Sequence, residues 1–100
     1  MRQVTVGSVT LGEGQPLALI AGPCVIESEQ HATETASAVQ AIARRCGVPF
    51  IFKASFDKAN RTSVESFRGP GLDRGLAVLA SIKNALGVPI LTDIHEPAQA

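Results

Sequence analysis

The sequence predicts an α/β fold, and three observations carry that reading. The segment CGVPFIFKAS, Cys46 to Ser55, is echoed 40 residues later by LGVPILTDIH, Leu86 to His95. Each copy has a glycine suited to ending a helix, then Val-Pro, then a short run of bulky apolar residues, then polar groups. Ahead of each glycine, apolar residues recur at steps of three and four: Ala32, Ala36, Val39, Ile42 and Cys46, then Leu72, Leu76, Leu79, Ile82 and Leu86. Helices alternating with short apolar strands in this way describe a parallel sheet.

The elements follow in order. Residues 1–16 form an N-terminal hairpin region, because residues 2–12 alternate weakly around Gly7 and Ser8. Residues 17–100 supply the first βα units of a single domain. Leu17 to Gly22 reads as a strand with an unalternating apolar run, of the kind covered on both faces. Ser28 is suited to cap the first helix, and Arg44 and Arg45 lie in its last turn, where the helix dipole favours positive charge. Asp73 and Lys83 play matching parts in the second helix. Gly47 and Gly87 close the helices, a strand follows each, and Pro97 to Ala100 reads as the start of a third helix. A doubly wound sheet and a (β/α)8 barrel both begin in this order; a barrel needs about 250 residues, so on that reading the chain is its first third.

Composition excludes several function classes. Of 100 residues 45% are hydrophobic, with four phenylalanines and no tryptophan or tyrosine, so an aliphatic core is expected and disorder is not. Nine basic residues balance nine acidic ones, which removes the broad positive field of a nucleic-acid binder. The longest weakly polar run, Pro16 to Ile26, falls short of the ~20 residues of a membrane helix. A secretory leader is not expected with only Arg2 ahead of the apolar patch, and Pro23 spoils the loose likeness of LALIAGPC to a lipoprotein cleavage site.

Parallel α/β folds carry their chemistry at the carboxyl ends of the strands. Those positions hold Cys24 and Glu27 after the first strand, Lys53, Ser55, Asp57 and Lys58 after the second, and Asp93, His95 and Glu96 after the third. Lys53 and Asp93 each lie four residues after the repeated proline, and alternation adds Ser55 and His95, so these four are expected to point into one pocket. Strand ends are also polar simply because loops meet water, and that reading stands beside the first. Lys53, Lys58, Arg61 and Arg68 place four of the nine basic residues in one loop, with Asn60, Thr62 and Ser63 interleaved. Such forks, point charges and hydroxyls suit a phosphate or carboxylate, unless Asp57 and Glu65 merely neutralise a solvated loop. The glycines of FRGPGL, Phe67 to Leu72, allow backbone amides to approach an anion, although a plain turn explains them equally well. No dinucleotide or Walker motif is present.

Cys24 and Cys46 flank a helix of ~18 residues, hence stand about 27 Å apart, too far for a disulfide. Cys46, on the apolar stripe, is expected to pack in the core. Cys24 reads as a nucleophile, a metal ligand or a small buried side chain. His31 is expected at the surface.

AGPCVIES (Ala21 to Ser28), FKASFDKANRTS (Phe52 to Ser63), FRGPGL and TDIHEPAQA (Thr92 to Ala100) together resemble the N-terminal third of the 3-deoxy-D-manno-octulosonate 8-phosphate synthase family. The likeness covers the chain from Leu17 onward, and KANR is its most specific part. It implies a (β/α)8 TIM barrel, of which these residues form the N-terminal hairpin, roughly three strands and two helices. It also implies a cytoplasmic homotetramer of lipopolysaccharide inner-core sugar biosynthesis, with no nucleic-acid or membrane partner, that condenses phosphoenolpyruvate with arabinose 5-phosphate and releases phosphate. The 100 residues alone are then expected to be inactive.

By the same resemblance, Lys53, Ser55 and Lys58 hold the carboxylate and phosphate of phosphoenolpyruvate, and Asn60, Arg61 and Thr62 hold the pentose phosphate. Lys53, Lys58, Asp93 and His95 are the implied catalytic groups. Two highly anionic substrates repel unless cations neutralise them at reacting distance. Thr62 stands where the family more often has serine, which keeps the hydroxyl. The Arg-Thr-Ser run echoes the sister 3-deoxy-D-arabino-heptulosonate 7-phosphate synthases, but Ala59-Asn60 replaces their proline and points to the five-carbon acceptor. A non-catalytic phosphate-binding module remains as an alternative. Members with cysteine at the position of Cys24 depend on a divalent metal of the zinc, iron or manganese type, and the other ligands are expected beyond residue 100.

Overall fold

A computed structural model of the chain describes residues 2–57 and 69–100. An antiparallel hairpin of β1 (Gln3–Val6) and β2 (Val9–Gly12) comes first, turning at Gly7 and Ser8. Gly7 takes a φ of 57°, the left-handed conformation that a two-residue hairpin turn requires. The rest is a three-stranded sheet of β3 (Leu19–Ala21), β4 (Phe50–Lys53) and β5 (Ile90–Leu91), parallel throughout with β4 in the middle. Helix α1 (Glu29–Cys46) connects β3 to β4, and α2 (Leu72–Leu86) precedes β5. The mixed α/β class read from the sequence is the observed one.

The first strand is shorter than its apolar run. Leu17 is 87% exposed, and the first backbone bond to β4 runs from the Leu19 N–H to the Pro49 carbonyl at 2.8 Å. Pro49 has no N–H to return, so the paired ladder starts at Leu19 opposite Phe50. The second face of the sheet is covered only in part. Phe50, Phe52 and Ala54 point toward the helices and are buried; on the other phase Ile51 of the central strand is buried as well, whereas Ile20 and Leu91 beside it remain 45% and 37% exposed.

The helices keep the expected period but turn slightly different faces inward. On α1 the buried residues are Ala32, Ala36 and Ala43, with Val39 packed beside them; Ile42 is half exposed and Cys46 exposed. At 3.6 residues per turn Ala43 falls about 20° from Ala32 around the axis and Ile42 about 80° away. The alanines let the helix lie close against β4, so Cys46 is not the core residue expected. On α2 the buried set is Gly75, Val78, Leu79 and Ile82, with Leu86 packed beside it, while Leu76 is turned outward for the same geometric reason.

The caps are mostly as the sequence implies. The Ser28 hydroxyl accepts from the His31 N–H at 3.0 Å, and Gly47 and Gly87 end their helices at φ 67° and 68°. Asp73, however, sits inside the first turn of α2, and the cap is Gly71 at φ 89°. Gly71 donates its N–H to the Phe56 carbonyl at 3.0 Å, which fixes the helix start one step before the acidic residue. Phe52, Phe56, Leu79 and Ile82 are nearly or fully enclosed, each worth about 1.5–3 kcal/mol of burial, against about 1 kcal/mol for a typical cap. After β5 a short 3-10 turn, Pro97–Gln99, follows Glu96, where the third helix was expected to begin.

Candidate functional site

Among the described residues, the polar groups singled out at the strand ends gather at the carboxyl edge of the sheet, and the strand register decides which of them touch. Beyond β3 the ladder changes step: Ala21 stands opposite Phe52, but Val25 bridges Ser55. One extra residue is therefore accommodated in Gly22-Pro23-Cys24, a bulge that re-aims what it carries. Gly22 is obligatory there, because a Cβ would lie 1.8 Å from the Lys53 carbonyl oxygen. The bulge leaves the Cys24 thiol exposed, which corrects the reading of a small buried side chain. Cys24 and Cys46 are both free, as their separation implied, and His31 is at the surface, 3.7 Å from Glu27.

Between β4 and β5 the register decides which groups meet. Phe52 pairs with Ile90 and Lys53 with Leu91, so continuing two residues at a time sets Ser55 beside Asp93 and Asp57 beside His95. The contacts follow that rule. The buried Ser55 hydroxyl donates to Asp93 Oδ1. His95 Nε2 lies 2.9 Å from the Asp57 carbonyl oxygen and 3.8 Å from Asp93 Oδ2. The His95 and Phe56 rings also pack in a T-shaped arrangement, at 61° with centroids 5.5 Å apart. Its backbone is tied down as well, since Gln99 Oε1 accepts from both the His95 and Glu96 N–H groups, at 2.8 and 3.1 Å.

The electrostatics agree with this arrangement. Partial burial pushes the Asp93 carboxyl toward a higher pKa. The Ser55 hydroxyl, a backbone hydrogen bond and the charges of His95 and Lys53 more than offset it, so the group lies below the ordinary 3.8. Lys53 is exposed on this edge and acts on Asp93 through its charge. Of the four groups expected to converge, Ser55, Asp93 and His95 are joined by contacts and Lys53 joins them electrostatically. The arrangement is an open ledge with one acceptor carboxylate, one imidazole and one ammonium, suited to neutralising an anion and moving a proton beside it.

Lys58, Asn60, Arg61 and Thr62, together with Ser63, Glu65 and Arg68, lie outside the described residues. Among the described residues no three His, Cys, Asp or Glu side chains come together as a metal site. Gly69 and Gly71 flank Pro70 where the chain passes the Phe56 carbonyl: a Cβ on Gly69 would come within 2.5 Å of that oxygen. In the described part, close passage past Phe56 explains Gly69, whereas Gly71, with nothing within 4 Å of an added Cβ, is favoured by its φ of 89°. Sequence reasoning missed Phe56 and Gln99 as parts of the site. A signal was available for the first: Gly75, a lone glycine inside a helical pattern, marks a close approach, and a Cβ there would sit 2.4 Å from the Phe56 Cβ.

Comparison with known proteins extends these observations. Residues 2–100 match the family described as the DAHP synthetase I family. A 2-dehydro-3-deoxyphosphooctonate aldolase of Citrifermentans bemidjiense is 56% identical over 98 residues, 98% of this chain and 36% of that protein. Relatives of the same name from Nitrobacter winogradskyi and Albidiferax ferrireducens are 56% and 61% identical, covering 96% and 89% of this chain and 33% and 31% of theirs. The chain thus spans about a third of the length of the curated relatives it matches.

Proposed function

Because the chain belongs to the DAHP synthetase I family, we propose that it forms the amino-terminal part of an enzyme condensing phosphoenolpyruvate with arabinose 5-phosphate. The products are 3-deoxy-D-manno-octulosonate 8-phosphate and inorganic phosphate. The observation that carries this reading is the 56% identity over 98 residues to a relative named 2-dehydro-3-deoxyphosphooctonate aldolase. The strand-end ledge supports it, since the groups such a condensation needs stand at the carboxyl edge of a parallel sheet.

In this reading Lys53, Ser55 and Lys58 bind phosphoenolpyruvate, and Asn60, Arg61 and Thr62 bind the pentose phosphate. Asp93 and His95 face the acceptor aldehyde and its hydroxyls, with Lys53 and Lys58 neutralising charge as the two substrates close. The full protein is a (β/α)8 barrel assembled as a homotetramer in the cytoplasm, serving lipopolysaccharide core synthesis. Among the described residues no helix is long and apolar enough to cross a membrane.

The exposed thiol of Cys24 at the sheet's carboxyl edge fits one corner of a divalent metal site of the zinc, iron or manganese type. The remaining ligands come from outside these 100 residues. A metal held there would supply Lewis-acid polarisation of an oxygen of the acceptor or of water. The experiment is an assay of phosphoenolpyruvate consumption by the full-length protein with arabinose 5-phosphate or erythrose 4-phosphate. Turnover with the pentose supports the proposal; a preference for the tetrose moves the protein to heptulosonate synthesis, and no turnover with either leaves a phosphate-binding module.

A further inference from the structure

We infer that Phe56 and Asp57 are positioning residues for His95: they fix its tautomer, with the proton on Nε2, and so make Nδ1 the nitrogen that accepts a proton in the proposed reaction. This deepens the reading of the site under Proposed function and rests on it. A carbonyl oxygen only accepts, so the 2.9 Å contact between His95 Nε2 and the Asp57 carbonyl requires a proton on Nε2. Asp93 Oδ2, 3.8 Å from the same nitrogen, adds negative potential on that side and favours the same tautomer. In neutral imidazole the lone pair then resides on Nδ1.

Two further contacts restrain His95 in that orientation. Phe56 offers its ring at 61° to the imidazole, a contact that fixes the imidazole plane, while the Asp57 carbonyl selects which nitrogen lies on its side. Gln99 Oε1 anchors the His95 backbone N–H. Phe56 is itself immobilised, being 2% exposed, receiving the Gly71 N–H on its carbonyl, and resting against the space that Gly75 leaves on α2. Orientation of the imidazole is thus relayed from the first turns of α2, through a buried aromatic residue. The segment from Ser55 to Asp57 both binds Asp93 and sets His95.

The test uses the full-length protein labelled with 15N-histidine. Long-range 1H–15N spectra report the tautomer directly, with His95 assigned by its loss in His95→Gln. The expected result is the Nε2–H form in the wild type. Phe56→Leu, which keeps an apolar side chain but removes the aromatic edge, should give a mixture of tautomers. Its kcat should fall by about tenfold to a hundredfold with little change in KM for phosphoenolpyruvate. Gly75→Ala, acting through Phe56 from α2, should shift the tautomer in the same direction. An Nδ1–H histidine in the wild type overturns the proposal, as does a Phe56→Leu protein with unchanged tautomer and kcat. The tautomer is read without turnover, so the two readings fail separately. Full activity in His95→Gln sinks the catalytic assignment of His95 while leaving the tautomer as measured.

Discussion

Ser55, two residues past the end of β4, meets Asp93 where Lys53 does not, because the sheet register runs two residues out of step with the sequence repeat. The repeat, at an offset of 40, matches positions along each strand. The register, at an offset of 38 in both the Ser55–Asp93 and Asp57–His95 contacts, matches positions across them. Equivalent residues of β4 and β5 are therefore staggered by about 6–7 Å along the strand direction. That stagger lets a hydroxyl meet a carboxylate and a carbonyl meet an imidazole, while the Lys53 ammonium stays exposed to act on Asp93 at longer range.

Removing the hydroxyl should show in the carboxylate. Ser55→Ala deletes the hydrogen bond that most lowers the Asp93 pKa, so that pKa should rise, and Ser55→Thr should hold it near the wild-type value. Because Asp93 is partly open to water, the stability cost of Ser55→Ala should be only about 1 kcal/mol. A 13C titration of the Asp93 carboxyl decides the point, and identical curves for wild type and Ser55→Ala would refute it.

Acid should erode this contact in a defined window. A carboxyl whose folded pKa lies below its ordinary value adds stability above that ordinary value, and the contribution is lost as pH falls through the folded one. For Asp93 the window opens below 3.8. The difference in melting temperature between wild type and Asp93→Asn should be flat from about pH 5 to 7 and shrink below about pH 4. With Asp93 more than a third exposed, its full size should stay under about 1 kcal/mol. A difference that grows on acidification would reverse the sign and remove the assignment.

Most of the architecture was legible because it depends on local chemistry. The hairpin turn at Gly7, the Ser28 cap and the glycines that end α1 and α2 are each set by a residue and its immediate neighbours. What was not legible depends on contacts between distant segments. Cys46 and Ile42 looked like core because the spacing permits two adjacent stripes, and only packing of the alanines against β4 selects between them. The pairing of Ser55 with Asp93 needs the register, which a repeat cannot supply. Asp73 looked like a cap until the Phe56 carbonyl fixed the helix start at Gly71.

The Gly22 position should tolerate nothing larger. A Cβ there runs into the Lys53 carbonyl of the central strand, and neither backbone can yield without breaking the ladder that carries Val25 to Ser55. Gly22→Ala should cost about 3 kcal/mol or more. Gly47→Ala, strained by its φ of 67° but with nothing within 4 Å of the new Cβ, should cost about 1 kcal/mol. Urea unfolding of the two variants orders them, and equal costs would contradict the close approach.

Arg61 offers a test of which substrate phosphate the basic loop serves. If it forks onto the pentose phosphate, Arg61→Ala in the full-length protein should raise KM for arabinose 5-phosphate by at least about tenfold and leave that for phosphoenolpyruvate within about twofold. Parallel loss for both substrates would reassign it.

The exposed Cys24 leads to the last expectation, that the full-length enzyme depends on a divalent metal. The Gly-Pro-Cys bulge puts the thiol in solvent at the same sheet edge as Ser55, which bonds Asp93 just past β5. A thiolate there is a soft ligand, and one ligand does not make a site, so these 100 residues should hold metal weakly. Chelation of the full-length protein should abolish turnover, and zinc, iron or manganese should restore it in the wild type. Cys24→Ser should lower metal affinity by at least about tenfold, read by metal content after dialysis as well as by activity. Full activity after complete metal removal would leave Cys24 as an exposed thiol with no part in the reaction.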